Sequence, residues 1–342
     1  MTTTGNGTDL PVYTAKDFTT DQDVRWCPGC GDYAILTAVR KTLPALATMK
    51  KDFVFISGIG CAARFPYYMN TYGLHSIHGR SLPVATGVKL ANPNLTVFAV
   101  AGDGDLLSIG GNHTIHAMRR NIDINILLIN NRIYGLTKGQ YSPTSEFGKV
   151  TKSTPMGSLD FPLRPLALAA AAECTFIARG IDVDVKLLES ILKRAVAHKG
   201  TSFIEIYQDC NIFNHKTWFY ASQKDSRPDN TVLLEHGKPL IFGKDRDKGI
   251  RSTGIGLEVV ELGSGITEDD LLIHDETNPT LTYMLAQMSH PEFPEPMGVL
   301  YANPDRPTYD QLVHDQVKEA IAQNGEGDIA ALLHGGDTWE VT

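Results

Sequence analysis

The stretch "LTVFAVAGDGDLL", residues 95–107, sets the frame for the rest of the chain. Its first half is apolar or β-favouring without alternation, the pattern of a strand buried on both faces. The run stops at Gly102, Asp103, Gly104 and Asp105. Asp-Gly pairs commonly make turns, so GDGD alone reads as a strand-ending turn. It also reads as a diphosphate–metal site. Glycines let a backbone approach a phosphate, and Asp103 offers a hard oxygen to Mg²⁺.

Three other segments resemble this strand: "DFVFIS" (52–57), "INILLI" (124–129) and "SFIEIYQ" (202–208). Helical patterns lie between them. "GGNHTIHAMRR" (110–120) suits a crossover helix. Over 184–197, Leu188, Ile191, Leu192, Ala195 and Val196 form an apolar stripe, with Asp184 placed to cap its start. A further helix is expected from Asp32 as N-cap, with Leu36, Val39 and Leu43 on one stripe, until Pro44 interrupts it. Strands alternating with helices predict an α/β fold with a doubly wound, largely parallel sheet. Residues 1–24 read as a polar N-terminal arm and 25–225 as the α/β domain. In 226–342 proline and polar residues rise ("SRPDN", "HPEFPEP", "ANPDRP"). That part reads as an irregular C-terminal extension packing on the core or on a partner subunit.

The chain has 342 residues, 42% hydrophobic and 20% charged, with a formal net charge of −8. An acidic chain without a basic run argues against nucleic acid as a partner. No signal-like N-terminus and no apolar run near the roughly 20 residues of a membrane span are visible. The expected location is the cytoplasm, where thiols stay reduced, so the five cysteines point to metal or catalytic use.

The unusual residues keep phase with the strands. "GIGC" (58–61), GDGD (102–105), "NNRIYG" (130–135) and Asp209–Cys210 each follow one of the four predicted strands. In an open parallel sheet, ligands bind at the carboxyl ends of strands. Asn131 lies 28 residues beyond Asp103, at the end of the neighbouring strand, and supplies a second hard oxygen. The turn after it can add the carbonyl of Ile133. GDG followed at this spacing by Asn after an apolar run resembles the thiamine diphosphate-binding motif.

The stretch "RWCPGCGDYAIL" (25–36) holds Cys27 and Cys30. C-x-x-C is ambiguous among zinc, iron–sulfur and a redox dithiol. Cys61 and Cys210 fall on the same predicted rim, so four thiolates could hold a structural zinc or a [4Fe–4S] cluster. Cys174, in "LAAAAECTFIA", reads as a buried, inert thiol.

Together, "WCPGCGDYAIL", "GIGCAARFPYYMNTYGLHSIHGRSLPVATG", "AGDGDLLSIGGNH" and "NNRIYGLTKGQYSPT" resemble the β subunit of the 2-oxoacid:ferredoxin oxidoreductases, most of all the 2-oxoglutarate (2-oxoglutarate synthase) branch. The resemblance covers about residues 20–300 and is most specific within 25–145. It implies a thiamine diphosphate-binding (PP-type) domain and one [4Fe–4S] cluster on Cys27, Cys30, Cys61 and Cys210. Mg²⁺ would sit on Asp103, Asn131 and the carbonyl of Ile133. Cofactor contacts would come from Ile59, Gly60, Cys61 and Ala62, from His78, Gly79, Arg80 and Ser81, from Gly102, Gly104 and Asp105, and from Gly135 and Leu136. Arg64, His78 and Arg80 are the candidate catalytic residues. His75, His113 and His116 read as structural, and Tyr67, Tyr68 and Met69 as packing residues.

The resemblance further implies coenzyme A-dependent oxidative decarboxylation of a 2-oxoacid, here 2-oxoglutarate to succinyl-CoA and CO₂. Electrons would leave singly through the cluster to ferredoxin. Run backwards, the reaction is the CO₂ fixation of a reductive tricarboxylic acid cycle. A partner α subunit would supply the pyrimidine-binding domain and an activating glutamate, in an αβ or (αβ)₂ assembly. Pyruvate or another 2-oxoacid is the alternative substrate, and a non-redox thiamine diphosphate decarboxylase with structural zinc the alternative enzyme. The chain departs from many relatives in carrying Arg64 where they have lysine, which keeps the charge and changes the geometry.

Overall fold

The structure, a computed structural model, describes residues 11–336 and 338–341. Eight strands form the main sheet. They are β1 (Phe53–Ser57), β2 (Tyr72–His75), β3 (Thr96–Gly102), β4 (Asn125–Asn130), β5 (Phe176–Ile181), β6 (Ser202–Tyr207), β7 (Thr231–Leu234) and, after a small second sheet, β11 (Glu295–Ala302). The small antiparallel sheet is β8 (Ile241–Phe242), β9 (Lys248–Ser252) and β10 (Leu257–Glu261). The strand order of the main sheet is β2-β1-β3-β4-β6-β5-β11-β7. The six strands from β2 to β5 in that order are parallel, and β11 runs antiparallel to β5. The chain passes from β1 to β2 on one side, then to β3 on the other. The winding therefore reverses between β1 and β3, the place where open α/β sheets bind ligands.

Helices cover both faces. These are α1 (Asp32–Thr42), the single turn α2 (Phe65–Tyr68), α3 (Ser81–Ala91), α4 (Gly111–Arg119), α5 (Pro165–Ala171) and α6 (Val185–Ala197). Strands β1, β4, β5 and β6 are buried at every residue, which is why β1 and β4 read as nearly unbroken apolar runs. Their alternate side chains feed two layers. Val54, Ile56, Ala99 and Ile126 pack with α3, α4 and α5. Phe53, Phe55, Phe98 and Leu127 pack with α1 and α6, and the Phe55 and Phe98 rings stack 4.7 Å apart. As expected, Asp184 caps α6, its Oδ1 accepting from the Leu187 N–H at 3.0 Å.

Asp32 behaves differently from the expected cap. Gly31 takes the N-cap position, and Asp32 is the first helical residue, 1% exposed. Part of the predicted arm, residues 1–10, lies outside the described residues. Within 11–24, Phe18 is fully buried against Phe53, their ring centroids 5.8 Å apart. Beyond 225 the chain is more regular than its composition suggests. It adds β7 and β11 to the main sheet and packs α9 (Pro279–Gln287), which follows two single-turn helices at Phe219–Ser222 and Arg227–Asn230, against α5. Among the described residues no helix is long and apolar enough to cross a membrane.

Candidate active site

The loops after β1, β2, β3 and β4 meet over the reversal point and enclose a cleft of about 540 Å³. Ile59, Gly60, Cys61, Ala62, His78, Gly102, Asp103, Gly104, Asp105, Asn131, Ile133, Gly135 and Leu136 all line it. Strand ends as far apart in sequence as Ser57 and Asn130 are thus gathered by the parallel sheet. Gly79 lies just behind the lining and donates its N–H to Asp105. Arg80 and Ser81 stand outside the lining: the Arg80 guanidinium bonds the Gly79 carbonyl at 3.3 Å, and Ser81 is buried in the first turn of α3.

The two aspartates of GDGD do different work. Asp105 is 2% exposed, and its Oδ1 accepts from Ile59 N at 3.2 Å, Gly79 N at 2.7 Å and His78 Nδ1 at 2.5 Å. One carboxylate oxygen therefore ties the loops of three strands together, while Oδ2 is buried without a partner. Asp103 is 1% exposed, and burial pushes its pKa up to about 6. Hydroxyls oppose that shift: Ser142 Oγ donates to Asp103 Oδ2 at 2.5 Å, and Thr144 Oγ1 lies 2.6 Å from the same oxygen. The Asn131 Oδ1 closes the turn by accepting from Ile133 N at 3.1 Å. Gly104 has no room for a side chain, because a Cβ would lie 2.2 Å from the Tyr134 ring.

Cys27, Cys30, Cys61 and Cys210 line one neighbouring cavity of about 230 Å³, together with Trp26, Arg64 and Gln208. Burial is the first cause raising the Cys30, Cys61 and Cys210 thiols, and Cys61 reaches about 12. The nearby Asp32 charge adds to all three, and the charges of the other cysteines add at Cys30 and Cys61. Asp32 itself is pushed up to about 7, mainly by burial. Four sulfurs brought together in this way are a poor arrangement for free thiolates and a suitable donor set for a cationic group that replaces their protons. Gly135 again leaves space, since a Cβ there would stand 3.5 Å from Cys61 Sγ and 3.6 Å from Cys210 Sγ. Arg64 lines this cavity and not the cleft, its Nε donating to Tyr68 Oη at 2.9 Å.

Of the residues expected to be structural, His75 and Cys174 bond to backbone carbonyls, while the buried His116 Nδ1 has no partner among the described residues. His75 Nδ1 contacts the Ala63 carbonyl at 2.8 Å, and the buried Cys174 Sγ donates to the Thr201 carbonyl at 3.2 Å. Sequence reasoning missed Ser142, Thr144 and Tyr134, whose hydroxyl donates to the Gly104 carbonyl at 2.9 Å. The first two lie in a loop without periodic pattern, which gives no signal of their role.

Comparison with known proteins agrees with this geometry. Residues 58–206 match the family described as "Thiamine pyrophosphate enzyme, C-terminal TPP binding domain". The fold is thus that of a thiamine diphosphate enzyme domain. The chain is 49% identical over 338 residues to the 2-oxoglutarate oxidoreductase subunit KorB of Mycobacterium tuberculosis, covering 98% of this chain and 90% of that one. It is 37% identical to the 2-oxoacid:ferredoxin oxidoreductase 1 subunit beta of Aeropyrum pernix, covering 84% and 80%. A solved 2-oxoglutarate:ferredoxin oxidoreductase of Magnetococcus marinus, with 2-oxoglutarate, coenzyme A and succinyl-CoA bound, superposes with a TM-score of 0.76 at 30% identity, covering 97% and 98%. The chain belongs to the 2-oxoacid:ferredoxin oxidoreductase family, as a β subunit. It is therefore one subunit of a multi-chain oxidoreductase.

Proposed function

We propose that this chain is the cofactor-bearing subunit of an enzyme converting 2-oxoglutarate and coenzyme A to succinyl-CoA and CO₂, passing single electrons to ferredoxin. Thiamine diphosphate, when bound, supplies an electron sink for decarboxylation, and a [4Fe–4S] cluster supplies a one-electron exit. In this reading Asp103, Asn131 and the carbonyl of Ile133 hold Mg²⁺, whose preference for hard oxygens they meet. Gly60, Gly102 and Gly104 keep side chains away from the diphosphate, and His78, fixed by Asp105, lines the cleft. Cys27, Cys30, Cys61 and Cys210 hold the cluster, and Arg64 places a positive charge beside it.

The observation that carries the reading is Cys61, which lines both cavities. A ligand in one and a ligand in the other share that residue as a wall. Four cysteine thiolates can serve a [4Fe–4S] cluster or a structural zinc, and the iron content of the purified complex decides between them. A separate α subunit completes the cofactor site from the open side of the cleft, and the complex works in the cytoplasm.

The test is the complex purified anaerobically with its α subunit. The expected result is a brown protein with about four irons per chain. It should turn over 2-oxoglutarate in preference to pyruvate and branched 2-oxoacids, with coenzyme A and ferredoxin. A colourless complex with one zinc, or one preferring pyruvate, overturns the corresponding half of the reading.

A further inference from the structure

The loop at residues 142–145 carries three hydroxyls, on Ser142, Thr144 and Ser145, each 2% exposed. They reach both halves of the candidate cation site. On the β3 side, Ser142 Oγ and Thr144 Oγ1 stand 2.5 and 2.6 Å from the same Asp103 oxygen, Oδ2. On the β4 side, Ser145 Oγ donates to the Arg132 carbonyl at 2.6 Å, within the turn that carries Asn131 and Ile133. The loop is braced internally, since Ser142 N donates to Ser145 Oγ at 2.8 Å. Thr144 Oγ1 also lies 2.9 Å from Asn130 Oδ1, and its single proton serves whichever oxygen carries the greater charge.

We propose that the Ser142–Thr144–Ser145 loop is a positioning clamp that fixes the spacing between Asp103 and the Asn131–Ile133 turn, and with it the geometry of the Mg²⁺ site. The inference rests on Asp103 being a cation ligand. Two side-chain donors on Oδ2 stop the carboxylate from turning and, among the described residues, leave Oδ1 as the oxygen without a side-chain donor. The third hydroxyl prevents the β4 turn from drifting relative to it. Mg²⁺ demands near-ideal octahedral geometry, whereas Ca²⁺ accepts irregular sites. A loosened clamp should therefore damage Mg²⁺ binding more than Ca²⁺ binding.

The experiment is cation titration of the complex with thiamine diphosphate present, read by direct binding of Mg²⁺ and of Ca²⁺. Thr144→Val and Ser142→Ala are each expected to weaken Mg²⁺ about tenfold while changing Ca²⁺ two- to threefold at most, and Thr144→Ser to restore Mg²⁺. Iron content and melting temperature report whether each variant is folded, and the restoring Thr144→Ser keeps the test decisive if Thr144→Val folds poorly. Equal losses for both cations, or wild-type Mg²⁺ affinity in both variants, overturn the clamp. Asp103→Asn separates the two levels. If it keeps full Mg²⁺ affinity, the ligand assignment fails. If it loses Mg²⁺ while Thr144→Val and Ser142→Ala do not, only the clamp fails.

Discussion

Around Asp103 and Asp105, buried carboxylate oxygens meet protein donors at 2.5–3.2 Å before any ligand arrives. In the adjoining cysteine cavity, one side-chain donor reaches a sulfur among the described residues: Gln208 Nε2, 3.2 Å from Cys30 Sγ. The two cavities share Cys61 yet are organised in opposite ways. The cleft is shaped by the protein's own hydrogen bonds. In the cysteine cavity burial first, and neighbouring charges after it, raise the Cys30 and Cys61 thiols, so a cation bound there would have to displace protons. Loss of a cleft residue should therefore act on one ligand, and loss of a cysteine should act on a whole cofactor.

The sharpest attempt to break this comparison is Cys61→Ser. Acceptor-linked turnover should fall at least a hundredfold and iron content should drop, while thiamine diphosphate affinity stays within a fewfold of wild type. Loss of both ligands together would show that the cavities are one cooperative site. Next in size is Arg179→Met. Arg179 is 4% exposed and donates to Glu205 at 2.9 Å and Glu295 at 2.8 Å, behind Asn130. Leaving two buried carboxylates unpaired should cost about 3–5 kcal/mol, read by denaturant unfolding. Gly104→Ala forces a Cβ against the Tyr134 ring and should cost about 1–3 kcal/mol with a clear loss of cofactor affinity. Gly135→Ala, with sulfurs 3.5–3.6 Å from the new atom, should leave stability nearly unchanged and reduce iron loading instead.

The smallest effect is one of pH, and it lies outside both cavities. Burial holds His198 neutral, with its pKa lowered to about 4 from 6.5. A depressed histidine contributes stability that is present above its unfolded pKa and lost as pH falls towards the folded one. Stability should therefore decline from this source between pH 6.5 and about 4. His198→Asn should flatten the acid side of a melting-temperature profile by a few degrees.

Legibility in the sequence followed burial. Strands β1, β3, β4 and β6 could be read because both their faces are covered, which leaves a nearly unbroken apolar run. β2 could not, because all four residues are exposed at the edge. β5 carries Arg179 in its centre, and only the fold shows the two glutamates that neutralise it. β9 and β10 are short, half-exposed and polar, so the region after 225 reads as irregular although it is paired. The same logic holds at the cleft. GDGD, the 58–62 turn and the 130–136 turn announce themselves at strand ends. The hydroxyls of 142–145 lie in a loop without periodic pattern, about 40 residues from the aspartate they touch, so spacing alone says nothing of them.

The single oxygen of Asp105 has a further meaning when time rather than position is considered. The amides of Ile59 and Gly79 belong to different loops, twenty residues apart, yet both donate to it. Neither loop can lift away without disturbing the acceptor of the other. In hydrogen exchange the two amides should open at one common rate, as members of one cooperative unit. Asp105→Asn should uncouple them into two separate rates.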